Sequence, residues 1–342
     1  MNDEEEVQIK KVNPNDVCAS LKESKFRQQK LDAWRPFPTI TSTLIIFVIF
    51  GLVFLALGIV IIIYSNDIIE VKKRYDDSSC TESTENEDTI TCTFTIEIKE
   101  KMKKNVIVYY EIHNFFQNHR RYMKSRSNDQ LEGEYISLED MKEREDCKPA
   151  ITNAEMGKTK SIDGTPLNED EVAIPCGLIA KSYPEERFTL SLKNSDDDFT
   201  QISIDEQNIA WGADKEKLFK NVKVKDKGDD YYYKKVQWVN MEDEHFIVWM
   251  RPSLLPNFRK LYGRIHQDLE KGTYQVTVRN PLNVKEFKGE KYFVLSTVNV
   301  FGGKNWFLSI AYIAFGGLCL LLALLFVILY NCKGSPFKEK SQ

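Results

Sequence analysis

The residues of this chain best suited to metal binding or acid–base catalysis are its histidines. The 342-residue sequence holds four of them, His113, His119, His245 and His266. Metal sites draw on closely spaced His, Cys and carboxylate ligands, and the four histidines offer no such spacing apart from the chance interval between His113 and His119. We interpret all four as ordinary surface or core histidines. The sequence therefore predicts no metal site, no catalytic residue and no bound cofactor.

Two further motifs match ligand-binding loops only in part. Gly302, Gly303 and Lys304 lack the earlier glycine of a phosphate-binding loop, and Asn305 follows where that motif needs Ser or Thr. The acidic run at residues 196–198 lacks the spaced ligands of a calcium loop, which favours a solvated turn. We expect Lys304 and Trp306 to act as anchors at a membrane surface instead.

A basic cluster is the strongest candidate for a functional surface. Its members are His119, Arg120, Arg121, Lys124 and Arg126. Guanidinium and ammonium groups in such a cluster pair well with acidic protein loops or with lipid phosphates. The alternative is a solvated helix face that binds nothing.

The cysteines indicate an oxidising compartment. Four of the seven, Cys80, Cys92, Cys147 and Cys176, form an even set in the central part of the chain. Disulfides persist outside the cytosol, so we expect two of them there. Three pairings are open, and sequential pairing is the simplest because it closes loops of only about 12 and 30 residues.

Two long runs without any Asp, Glu, Lys or Arg bracket that central part. They cover residues 39–65 and 306–330, and about 20 apolar residues suffice to span a bilayer as a helix. We predict two transmembrane helices. Gly51 and Gly58 share a face of the first, and Gly316 and Gly317 lie in the second, so another helix can approach closely there, either the other span or a partner.

The flanking charges predict the orientation. Five basic residues, between Lys22 and Arg35, lie just before the first run and three lie just after the second, so the positive-inside rule places residues 1–38 and 331–342 in the cytosol. Residues 66–305 then form an exoplasmic domain. The basic residues 72–74 oppose this orientation, but a long translocated domain weakens the effect of its own charges.

Alternating or β-branched segments dominate the central part. Their pattern predicts a mainly antiparallel β-sandwich with minor helices. We expect a polar insertion at residues 127–171 to run over the surface, with Cys147 anchoring it to Cys176. The predicted strands are residues 91–98, 105–112, 188–192, 201–204, 246–250, 274–278 and 292–301, and the predicted helices are residues 114–124 and 256–265.

Several motifs in order along the chain are together highly specific. They are FRQQKLDAWRP at 26–36, NHRRYMKSR at 118–126, PCGLIA at 175–180, IAW at 209–211, FIVWMR at 246–251, LPNFRKLYGRI at 255–265 and GGKN at 302–305. The chain resembles the Cdc-fifty/LEM accessory subunits of type IV P-type ATPases, the phospholipid flippases. The resemblance spans nearly the whole chain and implies a β-sandwich ectodomain with sequential disulfides, Cys80 to Cys92 and Cys147 to Cys176.

The resemblance also implies a noncatalytic β subunit. Such a subunit forms a heterodimer with one catalytic ATPase, helps it fold and leave the endoplasmic reticulum, and is needed for lipid transport in the membrane. ATP hydrolysis belongs to the partner, no nucleic acid is involved, and the final membrane, whether endoplasmic reticulum, Golgi, endosome or plasma membrane, follows the partner. The partner-contact candidates are Arg27, Trp34, Arg35, the basic cluster, Lys304 and Asn305.

Two departures from the family pattern are visible. No Asn is followed by x-Ser or x-Thr, so the N-glycans usual in the family have no acceptor here. Gly212 follows the IAW motif where Pro is commoner, which predicts a local loop change. A different class of function also fits two spans and an oxidised domain, namely a free-standing exoplasmic receptor or adhesion module.

Overall fold

A computed structural model describes residues 25–26, 39–77, 81–86, 89–195, 198–223, 232–279 and 282–332. It divides into two compact units, one of residues 1–58 with 311–342 and one of residues 59–310. Helix α1, Ile40–Asn66, and the last helix, α9, Trp306–Cys332, are long and apolar enough to cross a membrane. The two predicted spans are therefore present as continuous helices.

In the first unit, α1 and α9 contact each other through small residues. A Cβ atom added to Gly316 would lie 2.9 Å from the carbonyl oxygen of Gly51, closer than van der Waals contact allows. The centre of the Phe54 ring lies 5.5 Å from that of Tyr312 and 5.1 Å from that of Phe315. The close approach predicted at Gly51 thus involves the other span, whereas Gly317 faces open space.

The second unit is built on two antiparallel sheets. One has the strand order β1-β9-β4-β7 and the other β2-β3-β8-β5-β6. Every adjacent pair runs antiparallel. The strands are β1 Glu70–Arg74, β2 Thr81–Asn86, β3 Thr89–Ile98, β4 Val106–His113, β5 Arg187–Lys193, β6 Phe199–Ile202, β7 Phe258–Ile265, β8 Gly272–Arg279 and β9 Glu290–Ser296.

Aromatic rings join the two sheets face to face. Phe188 on β5 lies 4.9 Å from Tyr262 on β7 and 5.4 Å from Phe293 on β9. Phe94 on β3 adds a contact of 6.3 Å to Phe293. Alternate residues point to opposite faces of a strand, so the inward sets of both sheets form one core. The predicted antiparallel sandwich is confirmed.

An insertion between β4 and β5 is more deeply packed than its polar composition suggests. Leu131, Met141 and Met156 are buried, so the expectation of a surface excursion is wrong for these positions. The disulfide between Cys147 and Cys176 is formed as predicted. The helices here are α2 Arg120–Lys124, α3 Asn128–Leu131, α4 Leu138–Arg144, α5 Asn153–Met156 and α6 Leu178–Lys181.

Gly177 beside that disulfide is required by a close approach. Its φ angle is +101°, and an added Cβ would lie 2.2 Å from the carbonyl oxygen of Ser125. Only glycine adopts this backbone conformation freely and leaves that space empty. Segments of the insertion that are distant in sequence are therefore joined to each other through both a covalent bond and a backbone contact.

Two elements have the opposite type from the prediction. Residues 246–250, expected as a strand, belong to helix α8, Glu244–Met250, which begins where the Asp243 side chain accepts a hydrogen bond from the His245 N–H. Residues 256–265, expected as a helix, form β7. Both segments are largely buried. Burial removes the polar face by which the periodicity of a helix is distinguished from that of a strand.

The other predicted elements differ mainly in length. Residues 91–98, 188–192 and 274–278 lie inside β3, β5 and β8, and residues 106–112 lie inside β4. The strand expected at 292–301 ends at Ser296, and only Arg120–Lys124 of the expected 114–124 helix is helical. A further short α-helix, α7, covers Tyr233–Val236.

Candidate partner-binding surface

Three segments of the sandwich domain lie together and form the candidate surface. They are residues 114–126, 209–219 and 251–257, here called the three-segment surface. The Asn118 amide donates to the Leu254 carbonyl at 2.9 Å. The buried Gln117 side chain accepts from the Ser253 N–H at 2.9 Å. These bonds hold the loop before α2 against the loop that leads into β7.

The second segment is held by one carboxylate. Glu244 on α8 accepts hydrogen bonds from the backbone N–H groups of Asn208 at 3.1 Å, Ile209 at 2.7 Å and Ala210 at 2.9 Å. The Lys215 ammonium donates to the same carboxylate at 2.5 Å. A charged acceptor satisfies several backbone donors at once, and so it anchors the IAW motif to the helix.

The protonation state of Glu244 follows from these bonds. Burial disfavours the charged carboxylate, but the donors from Ala210 and Lys215 outweigh burial and lower the pKa of Glu244 below its usual value. The group is therefore ionised at neutral pH. The negative charge of Glu244 strengthens the hydrogen bonds that it accepts.

The anchored motif exposes Trp211. The guanidinium of Arg251 lies 4.4 Å from the centre of the Trp211 ring. Arg251 also donates two hydrogen bonds to Asp214, from Nε at 2.5 Å and from Nη2 at 3.0 Å. The side chain of Asp214 is buried, and the hydrogen bond that it accepts, together with its charge, raises the pKa of Arg251. The indole ring of Trp211 thus packs against a guanidinium that Asp214 holds in place.

Large apolar side chains are exposed throughout the three-segment surface. Leu254 is 78% exposed, Leu255 and Trp211 are each 67% exposed, and Phe116 is 56% exposed. Several exposed apolar side chains on segments that hydrogen bonds hold together mark interaction sites more often than single scattered residues do. Met123 and Leu218 are also exposed there.

The predicted basic cluster borders this apolar area. His119, Arg120, Arg121 and Lys124 are all exposed at or on α2. Arg126 is half-buried and lines a cleft of about 450 Å³ together with Arg251, Phe219 and Met250. The structure therefore brings the cluster together beside apolar side chains, with Arg126 set apart in the cleft.

The other predicted contact residues are placed differently. Lys304 is exposed, and its ammonium lies 5.9 Å from the centre of the Trp306 ring. Asn305 accepts a hydrogen bond from the Leu308 N–H at 2.9 Å, and so it caps the start of α9. Arg27, Trp34 and Arg35 lie outside the described residues, as does Cys80. Its predicted disulfide with Cys92 stays a prediction.

Within the described ranges, no group of three or more His, Cys, Asp or Glu residues could hold a metal ion. Two of the histidines each pair with one acid instead. His245 lies 2.9 Å from Glu206, and His266 lies 2.9 Å from Asp205.

Similarity to known proteins identifies the family. Residues 61–336 match the family described as LEM3 (ligand-effect modulator 3) family / CDC50 family. The chain belongs to this family. This CDC50-family chain is 36% identical to ALA-interacting subunit 3 of Arabidopsis thaliana, over 91% of the chain and 86% of that protein. The resemblance seen in the sequence motifs is confirmed.

Two animal relatives extend the comparison. Cell cycle control protein 50A of Bos taurus is 35% identical over 89% of the chain and 87% of that protein. Cell cycle control protein 50B of Homo sapiens is 29% identical over 89% of the chain and 92% of that protein. The similarity therefore covers nearly the full length of each relative, and with its two apolar helices the chain is a membrane protein of this family.

Sequence reasoning identified the basic cluster but missed the apolar half of the surface. Trp211 and Leu255 belong to motifs of the sequence, and Leu254 directly precedes one of them. The pair Leu254-Leu255 between Pro252 and Pro256 was the available signal, since prolines that flank an apolar pair indicate a loop rather than a buried element.

Proposed function

We propose that this CDC50-family chain is a noncatalytic accessory subunit of a P-type ATPase that moves phospholipid across a membrane. Family membership over residues 61–336 carries the proposal. A relative of similar length is named as an interacting subunit. In this proposal ATP hydrolysis belongs to the partner, and the two chains form a heterodimer.

The proposed orientation puts the sandwich domain on the exoplasmic side and both termini in the cytosol. The Cys147–Cys176 disulfide supports this, because such bonds persist in oxidising compartments rather than in the cytosol. Because the chain crosses the membrane twice in this proposal, both termini lie on the same side. The subunit would assist folding of the ATPase and its exit from the endoplasmic reticulum, and the final membrane would depend on the partner.

The three-segment surface is the proposed contact for exoplasmic loops of the ATPase. Its exposed apolar residues supply area that a partner can bury, and the bordering basic residues favour acidic loops. Leu254 is the most exposed of these residues and Leu255 adjoins it, so the two leucines are the expected centre of the interface. The basic residues would then guide encounter and register.

Co-purification tests the proposal. The tagged chain, extracted in mild detergent from its native membrane, is expected to bring down a P-type ATPase that mass spectrometry identifies. Recovery as a stable chain without a partner, or arrival at the cell surface alone, would contradict the accessory role and favour the receptor class.

A surface variant tests the location of the contact. Leu254→Ser combined with Leu255→Ser is expected to lower recovery of the ATPase about tenfold, since burying two leucines contributes more than the roughly 1.4 kcal/mol that tenfold requires. Phe199→Ser, at an exposed aromatic on β6, is the matched control and should leave recovery unchanged. Equal recovery with all three forms would place the contact elsewhere.

A further inference from the structure

A tight turn between β9 and α9 presents apolar side chains to the outside. The Asn299 N–H donates to the Gly302 carbonyl at 3.1 Å, and the Gly302 N–H donates back to Asn299 at 3.0 Å. Between them Val300 is 94% exposed and Phe301 is 57% exposed. Val298, just before the turn, is 40% exposed. An isolated turn in water is normally polar, so this composition needs a reason.

The turn is rigidly held rather than loose. The Asn299 side chain accepts from the Phe301 N–H at 2.9 Å and donates to the Tyr64 carbonyl at 2.6 Å. The ring of Phe301 lies 5.2 Å from the ring of Tyr64. The Thr297 N–H donates to the Ile69 carbonyl at 3.0 Å. The apolar tip is therefore fixed in its exposed position.

Hydrogen bonds also fix the position of the turn relative to the ends of the two membrane-spanning helices. Tyr64 is in the last turn of α1, and the Asn305 N–H donates to the neighbouring Ser65 hydroxyl at 3.1 Å. Trp306 then starts α9. The turn is thus tied to the last turn of α1 and to the start of α9, and Trp and Tyr rings concentrate at such ends of membrane-spanning helices.

We propose that Val300 and Phe301 insert into the bilayer interface on the side of the sandwich domain, as a lipid-binding wedge. Apolar side chains at this level gain by contact with acyl chains, while the Lys304 ammonium over Trp306 faces the phosphate layer. The occupant is the lipid surface and not a protein loop, because the tip continues directly into membrane-spanning helices. The wedge depends on the two spans alone and not on the proposed ATPase partner.

Site-directed spin labelling of the full chain in phosphatidylcholine nanodiscs tests the wedge. Cys18, Cys319 and Cys332 are first replaced by Ser, and a label is placed on Val300→Cys. Its collision rate with oxygen, which partitions into lipid, is expected to exceed its collision rate with a water-soluble nickel chelate. The control label at Glu100→Cys, on the exposed β3–β4 connection, should show the reverse order.

Two outcomes would overturn the proposal. Free access of the nickel chelate to the Val300 label would place the tip in water, and protection from both reagents would place it inside a protein contact. A label at Phe301→Cys gives an independent reading and is expected to match Val300. The experiment contains no ATPase, so its outcome is separate from that of the co-purification.

Discussion

Replacement of Glu244 by Gln is expected to destabilise the sandwich domain and to release the IAW motif. Oε2 accepts from Ile209 and Ala210, and Oε1 accepts from Asn208 and Lys215. A glutamine amide keeps one oxygen but turns an NH₂ group toward the other donors. At least two donors then lose their acceptor although the shape of the side chain is kept.

The magnitude follows from these two lost bonds. Each bond to a charged group contributes about 1.5 to 3 kcal/mol, and the Glu244 side chain is only 14% exposed, so solvent compensates little. We expect the free energy of unfolding to fall by about 3 to 6 kcal/mol. For a domain of this size that corresponds to a melting temperature lower by roughly 6 to 24 °C.

The assay is thermal unfolding of the full chain in detergent at pH 7, with limited proteolysis near Trp211 as a local readout. Glu143→Gln, at an exposed glutamate on α4, is the matched control and should change the melting temperature by no more than about 1 °C. Cleavage near Trp211 should increase only in the Glu244 variant.

The pH dependence has a definite sign. The folded-state pKa of Glu244 is lowered, so its stabilising contribution is present above its unfolded pKa and is lost as pH falls through the folded value. The difference between wild type and Glu244→Gln should therefore shrink as pH is lowered below about 4. Equal melting temperatures for the Glu244 and Glu143 variants at pH 7 would refute the anchoring role.

Three further changes have expected outcomes. Gly316→Ala should lower the thermal stability of the full chain by about 1 to 3 kcal/mol, because the added methyl meets backbone atoms of α1. Burial lowers the pKa of Lys260 to about 8. Between pH 8 and about 10.4 the unfolded state therefore binds more protons than the folded state. The free energy of unfolding of the wild type, measured relative to that of Lys260→Met, should rise over this range by up to about 3 kcal/mol. Lys291→Met should cost about 3 to 5 kcal/mol because it leaves the Glu186 carboxylate, 2% exposed, without its ammonium partner.

Each change has its own control. Gly317→Ala adds a methyl to open space one residue away, and an equal loss from both glycine variants would contradict the close approach. A flat difference between wild type and Lys260→Met across pH 8 to 10 would contradict the lowered pKa. For the buried pair, Glu186→Gln combined with Lys291→Met should cost less than the sum of the single variants, and strict additivity would show that the two groups do not interact.

The β-strands and the two elements of wrongly predicted type show what hydrophobic periodicity can and cannot predict. On β3, Phe94, Ile96 and Ile98 alternate with exposed or half-exposed residues, so the strand was predictable. On β7 the buried Lys260 occupies an inward position between Phe258 and Tyr262, and a lysine there conceals the alternation. Its ammonium donates to the carbonyls of Val248 and Arg251 at the end of α8, a partner that only the folded chain supplies.

The candidate surface divides in the same way. The basic cluster at α2 was predictable because its members are consecutive or nearly so along the chain. The apolar half comes from Trp211 and from Leu254 with Leu255, segments that are about 40 residues apart and meet through Arg251 and Asp214. Exposure of a leucine or a tryptophan has no sequence signature of its own, since the same residues fill the core elsewhere.

The sequence by itself predicted the two membrane spans, the Cys147–Cys176 disulfide and the family. A run of about 25 residues without charge is long enough to cross a bilayer as a helix, and an even set of cysteines between two such runs favours disulfides. The tertiary structure alone decided which apolar residues face outward, which glycine meets the other span, and how Glu244 holds Trp211. Those properties depend on contacts between distant segments, and local patterns do not encode them.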